Sequence, residues 1–143
     1  MKKNRAAAVI IDQGKIALIE RKFPEKIFYV FPGGKIDARE DVPAAVAREV
    51  LEELGLIVQV GRLIATVQRP KYLEYFFKVT IAGGDFGTGT GKDVWGEESD
   101  SFLPVWMPLE KLKNIQVRPK IITPYLLASV ENGFSTFQQF EED

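Results

Sequence analysis

The chain has 143 residues, with 19 basic and 20 acidic side chains, a net charge of −1 and 45% hydrophobic residues. That size and balance suit one globular domain over residues 1–143, and they give no global attraction to nucleic acid or an anionic membrane. Cysteine and histidine are both absent, which excludes disulfides, zinc–thiolate centres, thiol nucleophiles, imidazole ligands and every Ser-His or Cys-His pair.

Any acid–base or metal chemistry therefore falls to Asp, Glu, Lys, Arg, Tyr or water. The N-terminus is basic through Lys2, Lys3 and Arg5. The apolar run behind it, residues 6–11, is too short for a signal-peptide core and is ended by Asp12. No stretch approaches the roughly 18 apolar residues of a membrane span. The expectation is a soluble, cytoplasmic protein that makes no use of a membrane.

Residues 6–11 form a continuous small and β-branched run, as in a buried strand. Residues 12–15 read as a turn, with a returning strand over 16–20. An aromatic-rich strand over 27–31 ends at Pro32-Gly33-Gly34, which is expected to break regular structure. Residues 41–54 read as a helix, with Asp41 as N-cap, Pro43 in the first turn and Gly55 as the residue that closes it. Strands are expected over 57–68 and 72–82. In the second, Tyr75, Phe77, Val79 and Ile81 alternate with Glu74, Phe76, Lys78 and Thr80. Residues 83–100 hold six glycines and read as a long loop, of the kind that serves function or stays disordered. A short strand over 101–107 and a helix over 119–132, stopped by Gly133, complete an α/β layered domain. Pro124 falls near the start of that helix and could kink it there.

The chemistry concentrates on residues 41–54. At about 100° per residue, Val46, Ala47, Val50, Leu51 and Leu54 fall on one side and form the expected buried stripe. Glu49, Glu52 and Glu53 fall together on roughly the opposite side, at i, i+3 and i+4. A solvated acidic face is the plain reading. Against it, like charges at this spacing repel, and only Arg48 lies close enough along the helix to relieve them. A hard divalent cation removes the repulsion, and an oxygen-only donor set suits Mg2+ or Mn2+ and poorly suits zinc. Upstream, Gly33 and Gly34 let the backbone approach a ligand closely, or simply make a tight turn.

From Gly34 the chain reads GKIDAREDVPAAVAREVLEELGL. This resembles the Nudix box, whose fixed positions are filled by Gly34, Glu40, Arg48, Glu49, Val50, Glu52, Glu53, Gly55 and Leu56. Nine constrained positions over 23 residues, about a sixth of the chain, make a specific signal. The strand order, the Phe-Pro-Gly-Gly entry and a late Val-Trp-Met-Pro-Leu strand are also similar to that family. The resemblance implies an α/β/α sandwich with a mixed sheet, and hydrolysis of the diphosphate linkage of a nucleoside diphosphate derivative. Nucleoside triphosphates, oxidised or ordinary, ADP-ribose, nucleotide sugars and dinucleoside polyphosphates are the candidate substrates. It implies Mg2+, or Mn2+, held by Glu49, Glu52 and Glu53 with the Gly33 carbonyl. Glu49 is implied as the base, Arg48 as the residue orienting the carboxylates, and Glu40 as partner of Arg48, with Gly34 structural. Some members use a later glutamate, and Glu97 and Glu98 stand in such a loop; Glu98 is the candidate for a further ligand or base. Asp37 and Arg39 depart from common family usage, where Glu and Gly are frequent, which bears on the loop's shape and not on the metal ligands. A homodimer is also common in the family.

Two alternative functions come with the fold: a nucleotide sensor that does not cut, and an RNA 5′-end pyrophosphohydrolase. The intact box argues against the first and the lack of basic charge against the second. The family's isomerase branch needs a cysteine that this chain lacks. The run from Gly87 to Lys92 fails as a phosphate loop, since Phe86 and Asp93 stand where Gly and Ser or Thr are required. A lid over the substrate is the alternative use of that loop. Arg21, Lys22, Arg69 and Lys71, at strand ends, could meet phosphates or be merely solvated. Tyr29, Phe31, Tyr72, Phe76, Phe102 and Trp106 could stack on a base or belong to the core.

Overall fold

The computed structural model describes residues 3–89 and 101–143. The strands are β1 (Arg5–Asp12), β2 (Lys15–Phe23), β3 (Lys26–Val30), β4 (Gly33–Lys35), β5 (Leu56–Gln68), β6 (Leu73–Gly84), β7 (Ser101–Pro108), β8 (Val117–Arg118) and β9 (Gln138–Glu141). The helices are α1 (Val42–Leu54) and α2 (Ile122–Asn132), and a 3-10 turn spans Leu109–Asn114. Among the described residues the strands form a mixed sheet in the order β8-β3-β2-β1-β6-β5-β9, with β4 on β1 and β7 on β2.

Strand β1 is the hinge of this arrangement. It runs parallel to β6 and antiparallel to β4, and its end turns into β2. Its side chains alternate between two separate cores. Ala7 and Val9 pack with Ile64, Phe76, Tyr125 and Leu126 on the α2 side. Ala6, Ala8 and Ile10 pack with Val46, Val50, Leu54 and Phe77 on the α1 side. The small residues Ala6, Ala8, Ala17 and Ala45 are fully buried where α1 meets the sheet, so the helix backbone comes close to the strands. A helix on each face of a mixed sheet is the expected α/β/α sandwich.

Local chemistry fixes α1. The Asp41 carboxylate accepts from the Ala44 N–H at 2.8 Å, and Gly55 closes the helix in the left-handed region at φ 79°. Beyond it, Asp85–Gly89 packs under the helix end, and the Gly87 N–H donates to the Leu54 carbonyl at 2.8 Å. This gives one of the last helical carbonyls a partner.

Four details differ from the sequence reading. The break expected over Pro32-Gly33-Gly34 falls at Phe31 and Pro32, and Gly33 and Gly34 form β4, paired with Ala7 and Ala6. A Cβ at Gly33 would collide with the Ala6 carbonyl oxygen, so this strand approaches β1 closely because it is glycine. Leu51 is 50% exposed, whereas Glu53 is 5% exposed: the buried arc of α1 is turned toward Glu53. Gly83 and Gly84 belong to β6, not to the loop. Helix α2 begins at Ile122, so Pro124 stands in its first turn, where a missing N–H costs no intrahelical bond. The short strands β8 and β9 carry no pattern that marked them in advance.

The Tyr125 hydroxyl lies 2.8 Å from the Ile64 carbonyl and 2.7 Å from the Thr136 carbonyl, which joins α2 to β5 and to the segment entering β9. Tyr125→Phe leaves those carbonyls without the hydroxyl. We expect it to lower unfolding free energy by about 1–2 kcal/mol in urea titrations, with an unchanged denaturant slope.

Candidate active site

The site is built where α1 passes β4. Helical spacing brings Glu49, Glu52 and Glu53 to one flank of α1, and β4 brings Gly33 and Gly34 beneath them. The Gly33 N–H donates to Glu53 Oε1 at 2.9 Å. A Cβ on Gly34 would lie 2.5 Å from Glu49 Oε2, so the absence of a side chain is what leaves room for the Glu49 carboxylate.

Arg48 stands at the centre of the carboxylates. Its Nε donates to Glu40 Oε2 at 2.6 Å and its Nη2 to Glu40 Oε1 at 2.9 Å, a two-point fork that suits a guanidinium. Its Nη1 reaches Glu49 at 3.1 Å and Glu52 at 3.3 Å, and Nη2 also donates to the Lys35 carbonyl at 3.1 Å. The fork ties the loop before α1 to the helix, and the same guanidinium meets two of the three box carboxylates on α1. Among the described residues, no three acidic groups converge closely enough in this arrangement to make a metal-holding cluster. Glu97 and Glu98 lie outside the described residues.

The electrostatics separate the acidic groups. Hydrogen bonding to Arg48 holds the Glu40 carboxyl down at about 2. Burial pushes Glu53 up to about 8, against the opposing effect of the Gly33 N–H. Burial also raises Glu49, against Arg48. Burial thus disfavours the charged forms of Glu49 and Glu53.

Next to this flank is a cavity of about 330 Å3, with Gly33 and Gly34 in its lining. Arg5, Arg21, Arg69 and Arg118 line it, with Glu74 and the rings of Phe28, Phe31, Tyr72 and Phe76. Arg21 is buried, which lowers its pKa, while Glu53 acts to raise it. The Arg118 guanidinium lies over the Phe28 ring, 3.8 Å from its centroid. Of the residues singled out from the sequence, Arg21, Arg69, Phe31, Tyr72 and Phe76 line this cavity. Lys22 and Lys71 are exposed. Tyr29 donates to Glu20 at 3.0 Å. Phe102 and Trp106 pack on the α1 side. Arg5, Arg118 and Glu74 carried no signal in the sequence, because only pairing between distant strands brings them together.

A family model, NUDIX domain, matches residues 1–126. One relative is 31% identical over 75% of this chain and 72% of its own length; it comes from Bacillus subtilis (strain 168) and is named "Putative 8-oxo-dGTP diphosphatase". Another, named ADP-ribose pyrophosphatase, from Methanocaldococcus jannaschii, is 34% identical over 57% of this chain and 52% of its own length; the chain thus spans about half of that relative. Among solved structures, a NUDIX hydrolase from Nitrosomonas europaea superposes with a TM-score of 0.73 at 18% identity, covering 99% of this chain and 82% of that one. At that identity the likeness concerns the fold, a curled mixed sheet between helices. The chain belongs to the Nudix family.

The Arg48–Glu40 fork gives a test. Glu40 is depressed, so its contribution to stability is complete above the ordinary carboxyl value of 4.5 and is lost as pH falls toward about 2. Glu40→Gln is expected to lower the melting temperature by a few degrees at pH 7. The gap to the unaltered protein should narrow as pH falls from 4.5 to 2, measured by thermal melts across a pH series. A gap that holds constant to the acid end of the series would show that this ion pair does not stabilise the fold.

Proposed function

We propose that the carboxylate flank of α1 binds Mg2+, or Mn2+, and that the chain uses it to hydrolyse the diphosphate linkage of a nucleoside diphosphate derivative. As a Nudix-family member the chain is by class a pyrophosphohydrolase; substrate and metal are the parts proposed. The single observation that carries the reading is the buried Glu53 carboxyl, 2.9 Å from the Gly33 N–H, beside a cavity lined by four arginines.

The residues present fit a hard divalent ion. The donors are oxygens only, and burial raises two of the carboxylates, Glu53 against the Gly33 N–H and Glu49 against Arg48. Glu49, Glu52 and Glu53, with the Gly33 carbonyl, would hold the ion. When bound there, such an ion neutralises diphosphate charge and lowers the pKa of a coordinated water.

The chain's own side chains do the rest. Glu49, lifted above the ordinary carboxyl range, takes the proton from the attacking water. Glu98 is the alternative base. Arg48 keeps Glu49 and Glu52 in place, and Glu40 keeps Arg48 in place, as outer partners do for ligands. Arg5 and Arg21 line the cavity beside Gly33 and Gly34, where guanidinium groups suit phosphate oxygens. Phe31, Tyr72 and Phe76 offer ring surface for the remainder of the substrate. The same reading takes residues 1–143 as one domain working on a small molecule in the cytoplasm. Among the described residues no helix is long and apolar enough to cross a membrane.

A product screen by mass spectrometry tests the reading. The protein is incubated with Mg2+ and a panel of nucleoside triphosphates, oxidised nucleotides, ADP-ribose, nucleotide sugars and dinucleoside polyphosphates, beside a Glu53→Gln variant. Cleavage by the unaltered protein is expected, with a loss of roughly 100-fold or more in kcat for Glu53→Gln. The variant keeps an acceptor for the Gly33 N–H and removes a buried charge, so it should melt no lower than the unaltered protein in chelator at pH 8. Equal turnover by the two proteins would refute the metal assignment. Binding without cleavage across the panel would point instead to a nucleotide sensor.

A further inference from the structure

Two of the cavity's arginines, Arg69 and Arg118, have an anchor late in the chain. Glu142 follows β9, whose pairing with β5 sets Gln68 beside Glu141, and the Glu142 N–H donates to the Gln68 carbonyl at 3.0 Å. Both carboxylate oxygens of Glu142 are engaged. Oε1 accepts from the Ile121 N–H at 2.7 Å and Oε2 from the Lys120 N–H at 3.0 Å. Oε2 also lies 3.8 Å from Arg69 Nη1. Lys120 and Ile121 follow Arg118 and Pro119 directly, so one carboxylate fixes the backbone behind one cavity arginine and the guanidinium of another.

The contacts continue along the cavity wall. Arg69 Nη1 lies 3.5 Å from Glu74 Oε1, and Glu74 Oε2 lies 3.9 Å from Arg5 Nε. The Arg69–Glu74 contact is an ion pair without a hydrogen bond: among the described residues, Arg69 Nε and Glu74 Oε1 are buried with no hydrogen-bond partner. Arg69 Nη1 thus lies between two carboxylates, Glu74 at 3.5 Å and Glu142 at 3.8 Å, and neither contact alone holds it. This carboxylate serves two backbone donors just ahead of α2 and lies against an arginine of the cavity.

We propose that Glu142 is a positioning residue of the substrate cavity, which sets the places of Arg69 and Arg118 for the nucleotide derivative. This rests on the reading of the cavity as the substrate site. It assigns substrate affinity, and not the chemical step, to a carboxylate far along the chain from the box.

The test measures KM and kcat of Glu142→Gln, Arg69→Gln and the double variant, with Mg2+ and the best substrate from the screen. The amide introduced by Glu142→Gln keeps an acceptor for a backbone N–H but loses the charge that faces Arg69. The expected result is a KM raised roughly tenfold with kcat within about twofold. The double variant should lose less than the product of the two single losses, since part of the effect of Glu142 runs through Arg69. Glu142→Asp, which keeps the charge on a shorter arm, should fall between. An unchanged KM, a fall in kcat alone, or losses that multiply in the double variant would overturn the proposal. Melting curves are recorded in parallel, and a loss of activity that follows melting rather than KM also overturns it. If the unaltered protein cleaves nothing, the proposed reaction fails separately. The Glu142 proposal is then read from the dissociation constant of α,β-methylene-ADP with Mg2+, where the same tenfold weakening is expected and its absence, or no binding at all, overturns it.

Discussion

The contact between the Gly33 N–H and the Glu53 carboxylate joins the two halves of the site. It requires a helix carboxylate to be buried against a sheet, which is costly unless a donor meets it. The donor is available because β4 is made of glycine and lies tightly on β1. β1 in turn can accept both β4 and α1 because its first buried residues are alanines. Burial of Glu53, glycine in β4 and small residues in β1 are thus one constraint expressed at three positions. Enlarging any of them presses on the other two.

Charge in the site is arranged by the same economy of groups. One guanidinium, Arg48, meets Glu40, Glu49 and Glu52, and no second cation of α1 assists it. Glu40 takes the best geometry and is held near 2, whereas Glu49 and Glu53 are pushed the opposite way by burial. Chemically equivalent side chains around α1 therefore have different proton affinities, set by burial and by which of them Arg48 binds best. That inequality separates a carboxylate that orients from carboxylates suited to ligation and proton transfer.

Much of this was legible in the residues themselves. The N-cap at Asp41, the stop at Gly55 and the clustering of Glu49, Glu52 and Glu53 follow from helical spacing alone, and the strands β1, β2, β5 and β6 follow from their apolar runs. The orientation of α1 was legible only in part. Periodicity locates an apolar arc but not its edge, and the hydrogen bond to β4 draws Glu53 inward while Leu51 is left outside. The cavity was not legible. Arg5, Arg21, Arg69 and Arg118 belong to four separate parts of the chain, and their meeting depends on the register of β1 with β6 and of β3 with β8. Strands as short as β8 and β9 leave no period to read.

The pairing of β1 with β6 also orders events in time. Arg5 pairs with Glu74 and Ile10 with Val79, so β1 leaves the ribosome about 70 residues ahead of its parallel neighbour. Until then β1 has β2 and β4 beside it, but its other edge remains open, with backbone N–H and C=O groups unpaired. Parallel pairing at such separation is slow to close. The nascent chain must therefore carry an unpaired strand edge while all the intervening residues are made, the period in which a chaperone has most to cover.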